Sequence, residues 1–269
     1  MKIWRYMDFD KFSKFISRGE LYFCGARNFE DPFEGEYAWG KSGHGKFMEA
    51  QKKLCAKHGG GMPLDFFVSA NLQNLKDISS RTYVSCWHKS LHESEAMWKL
   101  YCKNIDAGVV VGTTVDLVWG QMPKLSYLKS MHGEVKYVSN YWIKEYNPEP
   151  DVFFRKRISF EHEKEYRFVV QDEAYSSIPV HGKAVSVDLR KLVQTVRLSP
   201  FADPSMMSLV SNVLKSAGID IECEKSEIET HPVMSVSERV IGEGPSFRSA
   251  EISLSTKDSP VGILTTMIK

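Results

Sequence analysis

The sequence carries no excess of charge, few cysteines and no long apolar run, and each absence excludes a class of protein. With 35 Lys and Arg against 34 Asp and Glu, the chain is not built as a nucleic-acid coat, although a local basic patch stays open. Its 5 cysteines, Cys24, Cys55, Cys86, Cys102 and Cys223, fall at wide, irregular spacings. Such spacings fit neither a disulfide framework nor a zinc site, so they read as reduced thiols of a cytoplasmic protein. No apolar stretch reaches the roughly 20 residues of a membrane helix, and the opening MKIWRYMDFDKF lacks the apolar region of a secretory signal. The chain is therefore expected neither to cross a membrane nor to be secreted. Phosphate-loop, GxGxxG, HExxH and GxSxG signatures are all missing, as is any internal repeat.

What is present is the composition of a globular chain, 269 residues long and 42% hydrophobic, long enough to bury a full core without staples. KIWRYM reads as a strand. Asp8 is a candidate N-cap for a helix carrying Phe9, Phe12, Phe15 and Ile16 at helical spacing, which Gly19 ends before the strand LYFCG. Residues 37–80, with Gly43, Gly45 and Gly59-Gly60-Gly61, read as an irregular mobile insertion, a possible lid. Order returns with the strand RTYVSCW and a helix whose Ser90 and Glu93 have capping-box spacing. AGVVVGTTVDLV reads as a strand turning at Gly112 into a short helix, and VFFRKRISF reads as helical. Further strands, then a helix with Asp203 as N-cap, Pro204 at its first position and Gly218 at its end, lead to residue 230. Residues 231–269 show no clear period and read as a C-terminal extension, partly disordered or held by a partner.

Candidates for chemistry concentrate in SFEHEKEYRFVV, residues 159–170. Strand alternation puts Glu163, Glu165 and Arg167 on one face and Lys164, Tyr166 and Phe168 on the other. Two readings stand side by side: a solvated ionic face, or carboxylates lining a cleft where they hold a hydroxyl-rich ligand and stabilise charge on a sugar ring. Directly upstream, Arg155, Lys156 and Arg157 form a basic cluster able to hold phosphates, or an exposed helix face. Met97, Trp98 and Tyr101 share a helix face that suits core packing as readily as a cofactor stack. Cys86 reads as structural rather than as a nucleophile paired with His88. His44, His58, His88, His92 and His132 lack ligand spacing and read as solvated loop residues, so no metal is expected.

The strings RYMDFDKFSKFISRGELYF, NFEDPFEG, VSCW, MWKLY and HEKEYRF, in that order, resemble a bacterial family of domains of unknown function, family 2971, over roughly residues 3–225. Tyr166 stands where that family more often has tryptophan. The family label carries no activity. More remotely, the same order of elements resembles the ADP-ribosyltransferase fold of nucleic-acid-modifying toxins. That resemblance implies an α+β protein with a split mixed β-sheet core, flanking helices and an insertion, spanning residues 1–230. It implies NAD as substrate, Arg5 on the adenosine ribose, and Glu165 as the catalytic carboxylate beside Glu163. Tyr6, Trp98, Tyr101 and Arg167 would complete the NAD site. The acceptor it suggests is RNA, slightly ahead of single-stranded DNA, held by Arg155, Lys156 and Arg157 with Trp87 or Trp39 stacking a splayed base. Such an enzyme harms its own cell, so an inhibitory antitoxin on the C-terminal extension is expected, within a toxin–antitoxin or phage-defence system. Two other classes remain: a non-catalytic nucleotide or nucleic-acid sensor, and a metal-dependent nuclease if Asp31, Glu34, Glu163 and Glu165 meet in space.

Overall fold

The protein is described by a computed structural model covering residues 1–35, 40–138, 151–173, 181–228, 234–244, 247–256 and 259–268. It divides into two units, Met1–Lys225 and Ser226–Lys269.

In the first unit the chain runs β1 (Lys2–Asp8), α1 (Phe9–Arg18), β2 (Glu20–Gly25), α2 (Gly40–His58), α3 (Leu64–Ser80), β3 (Thr82–Lys89), α4 (Glu95–Tyr101), β4 (Gly108–Thr114) and α5 (Val115–Gly120). It continues through β5 (Leu128–Glu134), β6 (Lys136–Val138), β7 (Arg155–Arg157), β8 (Glu165–Asp172), β9 (Gly182–Ser186), α6 (Leu189–Leu192), β10 (Thr195–Leu198), α7 (Met206–Ser216) and β11 (Cys223–Lys225). Among the described residues one nine-stranded sheet dominates. Its β10–β11 pair is parallel and its other pairs are antiparallel, so the sheet is mixed.

The sheet is also split, and β3 is where it splits. One flank of β3 pairs with β8 along its whole length, from Thr82↔Gln171 to His88↔Glu165. The other flank is shared: β1 pairs only through Ile3↔Lys89 and Trp4↔His88, and β2 only through Cys24↔Val84 and Gly25↔Tyr83. Among the described residues, Ser85, Cys86 and Trp87 face no strand on that flank, and a wedge opens between β1 and β2. The α+β class with a split mixed sheet and flanking helices is thus the architecture observed.

Side-chain alternation sorts β3 and β8 between two cores. Tyr83, Trp87, Tyr166, Phe168 and Val170 join a large cluster with Phe12, Phe15 and Ile16 of α1 and Val210 and Leu214 of α7. Val84 and Val169 join a smaller one with Phe47 of α2, Val68, Leu75 and Ile78 of α3, and Phe153. The segment expected to be an irregular insertion therefore contains two helices that cover one face of the sheet.

Local signals explain several boundaries and misplace others. Gly19 ends α1 at φ 62° and Gly218 follows α7 at φ 66°, conformations that cost an L side chain energy. Asp8 precedes α1, but its carboxylate accepts from the Asn104 amide (3.1 Å) instead of capping the helix. Helix α4 is capped by Ser94, which accepts from Met97 N, and not by a box built on Ser90. The α7 N-cap position is Ser205, with Asp203 accepting from it. VFFRKRISF is not one helix: two 3-10 turns flank the short strand β7. Gly112 is no turn; it lies inside β4 opposite Trp4, whose ring covers it.

The second unit contains β12 (Met234–Gly244), β13 (Phe247–Thr256) and β14 (Ser259–Ile268), joined as a three-stranded antiparallel sheet where the sequence shows no clear period.

A β-carbon at Gly112 would sit 2.8 Å from the Trp4 ring. Gly112→Ala is expected to destabilise the protein by about 1–3 kcal/mol, the usual cost of overpacking, read as a lower denaturant midpoint at unchanged slope.

Candidate functional site

The charged face of SFEHEKEYRFVV is buried, not solvated. Glu165 and Arg167 project from β8 towards the face covered by the α2–α3 cluster, while Tyr166 and Phe168 enter the larger core. Glu163 ends a 3-10 turn, and Lys164, at φ 43°, reverses the chain between that turn and the strand. This left-handed kink brings Glu163 and Glu165 to the same ammonium group although Glu163 lies outside the strand. Glu163, Glu165 and Arg167 are 7%, 6% and 1% exposed.

The neighbours of these groups come from distant loops. Lys156 Nζ lies 2.5 Å from Glu163, 2.8 Å from Glu165 and 3.1 Å from Glu34. Arg167 donates through Nε to Glu165 (2.5 Å), through Nη2 to Glu34 (2.7 Å) and through Nη1 to the Phe153 carbonyl (2.7 Å). Its guanidinium lies 5.2 Å from the Phe29 ring centroid. One step outward, Arg157 grips Asp31 with two bonds of 3.0 Å. Tyr137 Oη accepts the Glu165 amide at 2.7 Å.

Three carboxylates around two cations leave one proton to be placed, and burial places it on Glu163. Desolvation, reinforced by the neighbouring Glu165, lifts the Glu163 carboxyl to about 8. Desolvation also opposes ionisation of Glu165, but Arg167 and Lys156 outweigh it and hold that carboxyl well below the usual range. At neutral pH the pair is therefore divided into a protonated Glu163 and an ionised Glu165. His88, expected in a solvated loop, is instead 7% exposed on β3. Its Nδ1–H donates to the Glu163 carbonyl (2.7 Å), and burial lowers its pKa, keeping it neutral. The Cys86 thiol is pushed up by burial, which suits the structural reading of that residue.

Across the site, the wedge between β1 and β2 is filled by Arg5. Its Nη1 donates to Ser85 Oγ (2.9 Å), its Nη2 to the Tyr22 carbonyl (3.1 Å), and its guanidinium lies 5.5 Å from the Trp87 ring centroid. Arg5 and Glu165 line one cavity of ≈ 840 Å³, within the range of small-molecule sites. Tyr6, Tyr101, Trp87, Glu34, Glu163, Lys156 and Arg167 share that lining. Tyr101, at the end of α4, is 40% exposed and lines the cavity.

Several expected site residues are placed differently. Trp98 is 0% exposed and packs edge-on against Tyr6 at 5.0 Å, outside the cavity lining, so it serves the core. Trp87 lines the cavity but is 2% exposed, with its Nε1 bonded to Ser85, which leaves no open ring face for a splayed base. Arg155, Lys156 and Arg157 are not a phosphate-binding surface: each is engaged by a carboxylate, Asp151 for Arg155, the glutamates for Lys156 and Asp31 for Arg157. Trp39 lies outside the described residues. Asp31, Glu34, Glu163 and Glu165 do converge, but around Lys156, Arg157 and Arg167. The charge that a divalent ion would supply is already present, and no cluster of three metal-ligating residues occurs among the described residues. Glu34 and Lys156 are the site residues that strand alternation could not find. In the sequence Glu34 was carried by the DPFEG string and by the carboxylate set of the nuclease alternative, and Lys156 by the basic cluster 155–157, without any sign that the two meet.

Lys156→Met removes the cation shared by the three glutamates, and a loss of about 3–5 kcal/mol is expected from the uncompensated charge, measured by chemical denaturation. The raised pKa of Glu163 means that the folded state binds a proton the unfolded chain releases. Its contribution is complete below the unfolded value near 4.5 and is lost as pH rises through about 8. Wild-type Tm should therefore fall relative to Glu163→Gln between those values. Parallel pH profiles of the two proteins would refute the proton assignment.

No family model matches the chain, and no curated protein matches it; membership of family 2971 is not carried by these comparisons. Among solved structures, the chain is similar to DarT of Thermus sp. 2.9 in complex with carba-NAD+, with a TM-score of 0.36, 8% identity, and coverage of 84% of this chain and 95% of that one. It is likewise similar to the same protein in complex with NAD+, at a TM-score of 0.37, 8% identity and the same coverage. Similarity at this level carries no argument about function.

Proposed function

We propose that the protein is an NAD-dependent ADP-ribosyltransferase acting on single-stranded nucleic acid, a cytoplasmic toxin or effector held in check by a partner. One observation carries this reading: Arg5, in the split of the sheet, and Glu165, on the buried ionic face, line the same cavity. A dinucleotide needs a donor for the ribose at one of its ends and a carboxylate for the ribose at the other, within one cavity. The resemblance of the element order to nucleic-acid-modifying ADP-ribosyltransferases assigns the same two residues to those two ends.

In this reading NAD is bound as a substrate. Arg5 and Tyr6 form the wall at the adenosine ribose, and Tyr101 packs on nicotinamide. Glu165, ionised and held by Arg167 and Lys156, accepts a hydrogen bond from the nicotinamide-ribose hydroxyl. As the glycosidic C–N bond breaks, its charge stabilises the oxocarbenium-like sugar more than the ground state, which is the requirement for catalysis. Nicotinamide leaves as a neutral molecule with the bonding pair, the acceptor attacks C1′ from the opposite face, and its proton passes to solvent. Protonated Glu163 keeps a second negative charge away from Glu165 and helps to orient it.

A specific observation supports a second reading, a sensor that binds a nucleotide without turning it over: both Glu165 oxygens already accept from internal cations. Incubation with NAD labelled in its ADP-ribose part, together with separate RNA, DNA and lysate-protein pools, separates the two. Transfer of label supports the enzyme, and binding without transfer supports the sensor. Glu165→Gln should lower transfer by about 10²–10³-fold, the scale of losing one electrostatic stabiliser, with NAD still bound. Undiminished transfer by a folded Glu165→Gln protein would assign catalysis to another group.

A further inference from the structure

Helix α1 carries charge that the carboxylate site does not use. Lys11, Lys14 and Arg18 recur at spacings of three and four, so they lie along one side of the helix. All are exposed, while Phe12, Phe15 and Ile16 are buried. The three cations line the same cavity as Arg5 and Glu165. No ion pair among the described residues engages them, whereas each cation of the 155–157 cluster has a carboxylate partner. From Lys11 to Arg18 the helix rises about 10 Å, over which a stacked strand presents about three phosphates. A single diphosphate is too short to use that length.

A half-exposed aromatic ring shares the cavity with this stripe, on the face of β2 opposite to Leu21 and Phe23. Tyr22 of β2 is 49% exposed and lines the cavity. Its ring rests over Gly182 of the neighbouring strand β9, where a β-carbon would come within 2.1 Å of its hydroxyl. The glycine lets the ring lie against the sheet with its outer face open. Unpaired cations and an open aromatic ring lining one cavity are the combination that holds single strands without reading sequence.

The geometry points to α1 as a single-stranded nucleic-acid track: Lys11, Lys14 and Arg18 hold backbone phosphates, and Tyr22 stacks a base that enters the cavity. This rests on the proposed nucleic-acid acceptor and relocates its binding surface from residues 155–157 to α1. Binding is measured without NAD, so that its failure is separate from failure of the transferase chemistry.

The test is anisotropy of labelled oligouridine and oligothymidine, about 16 nucleotides long, titrated with the full chain from about 50 to 300 mM salt. The triple variant Lys11→Ala, Lys14→Ala, Arg18→Ala should bind at least about tenfold more weakly at low salt. Its log–log salt slope should fall by about 2, the value for three phosphate contacts on a single strand. Tyr22→Ala should lose about tenfold with little change in slope. NAD binding by the triple variant, followed by calorimetry, should fall less than oligonucleotide binding, because one diphosphate engages fewer cations than a run of phosphates. Unchanged oligonucleotide binding by the triple variant, absence of binding by wild type at low salt, or a loss confined to NAD would each overturn the proposal. Oligonucleotide binding that depends on the stripe but is unaccompanied by label transfer would uphold it and sink the transferase reading instead.

Discussion

A buried network of Glu165, Arg167, Lys156, Glu34 and Glu163 ties together parts of the chain that are far apart in sequence. Glu34 arrives from the DPFEG loop, Lys156 from the short strand β7, Glu163 from a 3-10 turn, and Glu165 and Arg167 from β8. Desolvating so many charges is costly, and attraction repays it only where each oxygen and each N–H finds a partner. That condition shapes the surroundings. Arg167 uses three of its donors on Glu165, Glu34 and the Phe153 carbonyl, and Lys164 adopts a left-handed backbone so that both glutamates reach Lys156. A buried network need not add net stability, but removing any one of its charged members leaves a charge stranded, so it specifies one arrangement of the loops.

The split in the sheet supplies the other half of the site. A strand pair that stayed zipped from Trp4 onward would close the flank of β3 and leave no room for Arg5. Because β1 leaves after two paired residues and β2 joins only near Val84, the exposed edge between them is covered by a side chain instead of a strand. The same opening admits the cavity to the face where Glu165 lies. Site and fold are thus one feature: the interruption of backbone pairing creates the space, and the ionic network keeps its far wall rigid. The basic side of α1, which connects the two diverging strands, lines that space while its apolar side packs in the core.

Local pattern in the sequence was enough for the strands KIWRYM, LYFCG and RTYVSCW, for α1 and its end at Gly19, and for the division of β8 into an ionic and an apolar face. These features depend on periodicity and on single-residue backbone preferences, which act over a few residues. Hydrophobic alternation also correctly separated Tyr166 and Phe168 from Glu165 and Arg167, since a two-residue repeat can be satisfied in only one register.

The tertiary structure alone decided whether those charges met water. A Glu, a Lys and an Arg look alike in sequence whether solvated or buried, because partners more than a hundred residues apart, such as Glu34 and Arg167, leave no local trace. The same long-range neutralisation turned residues 155–157 from an apparent phosphate patch into part of the carboxylate site, and enclosure by the core withdrew Trp98 from ligand contact. Sequence periodicity determined which residues share a face; only the packed chain determined what each face meets, because burial and charge compensation are properties of contacts between distant segments.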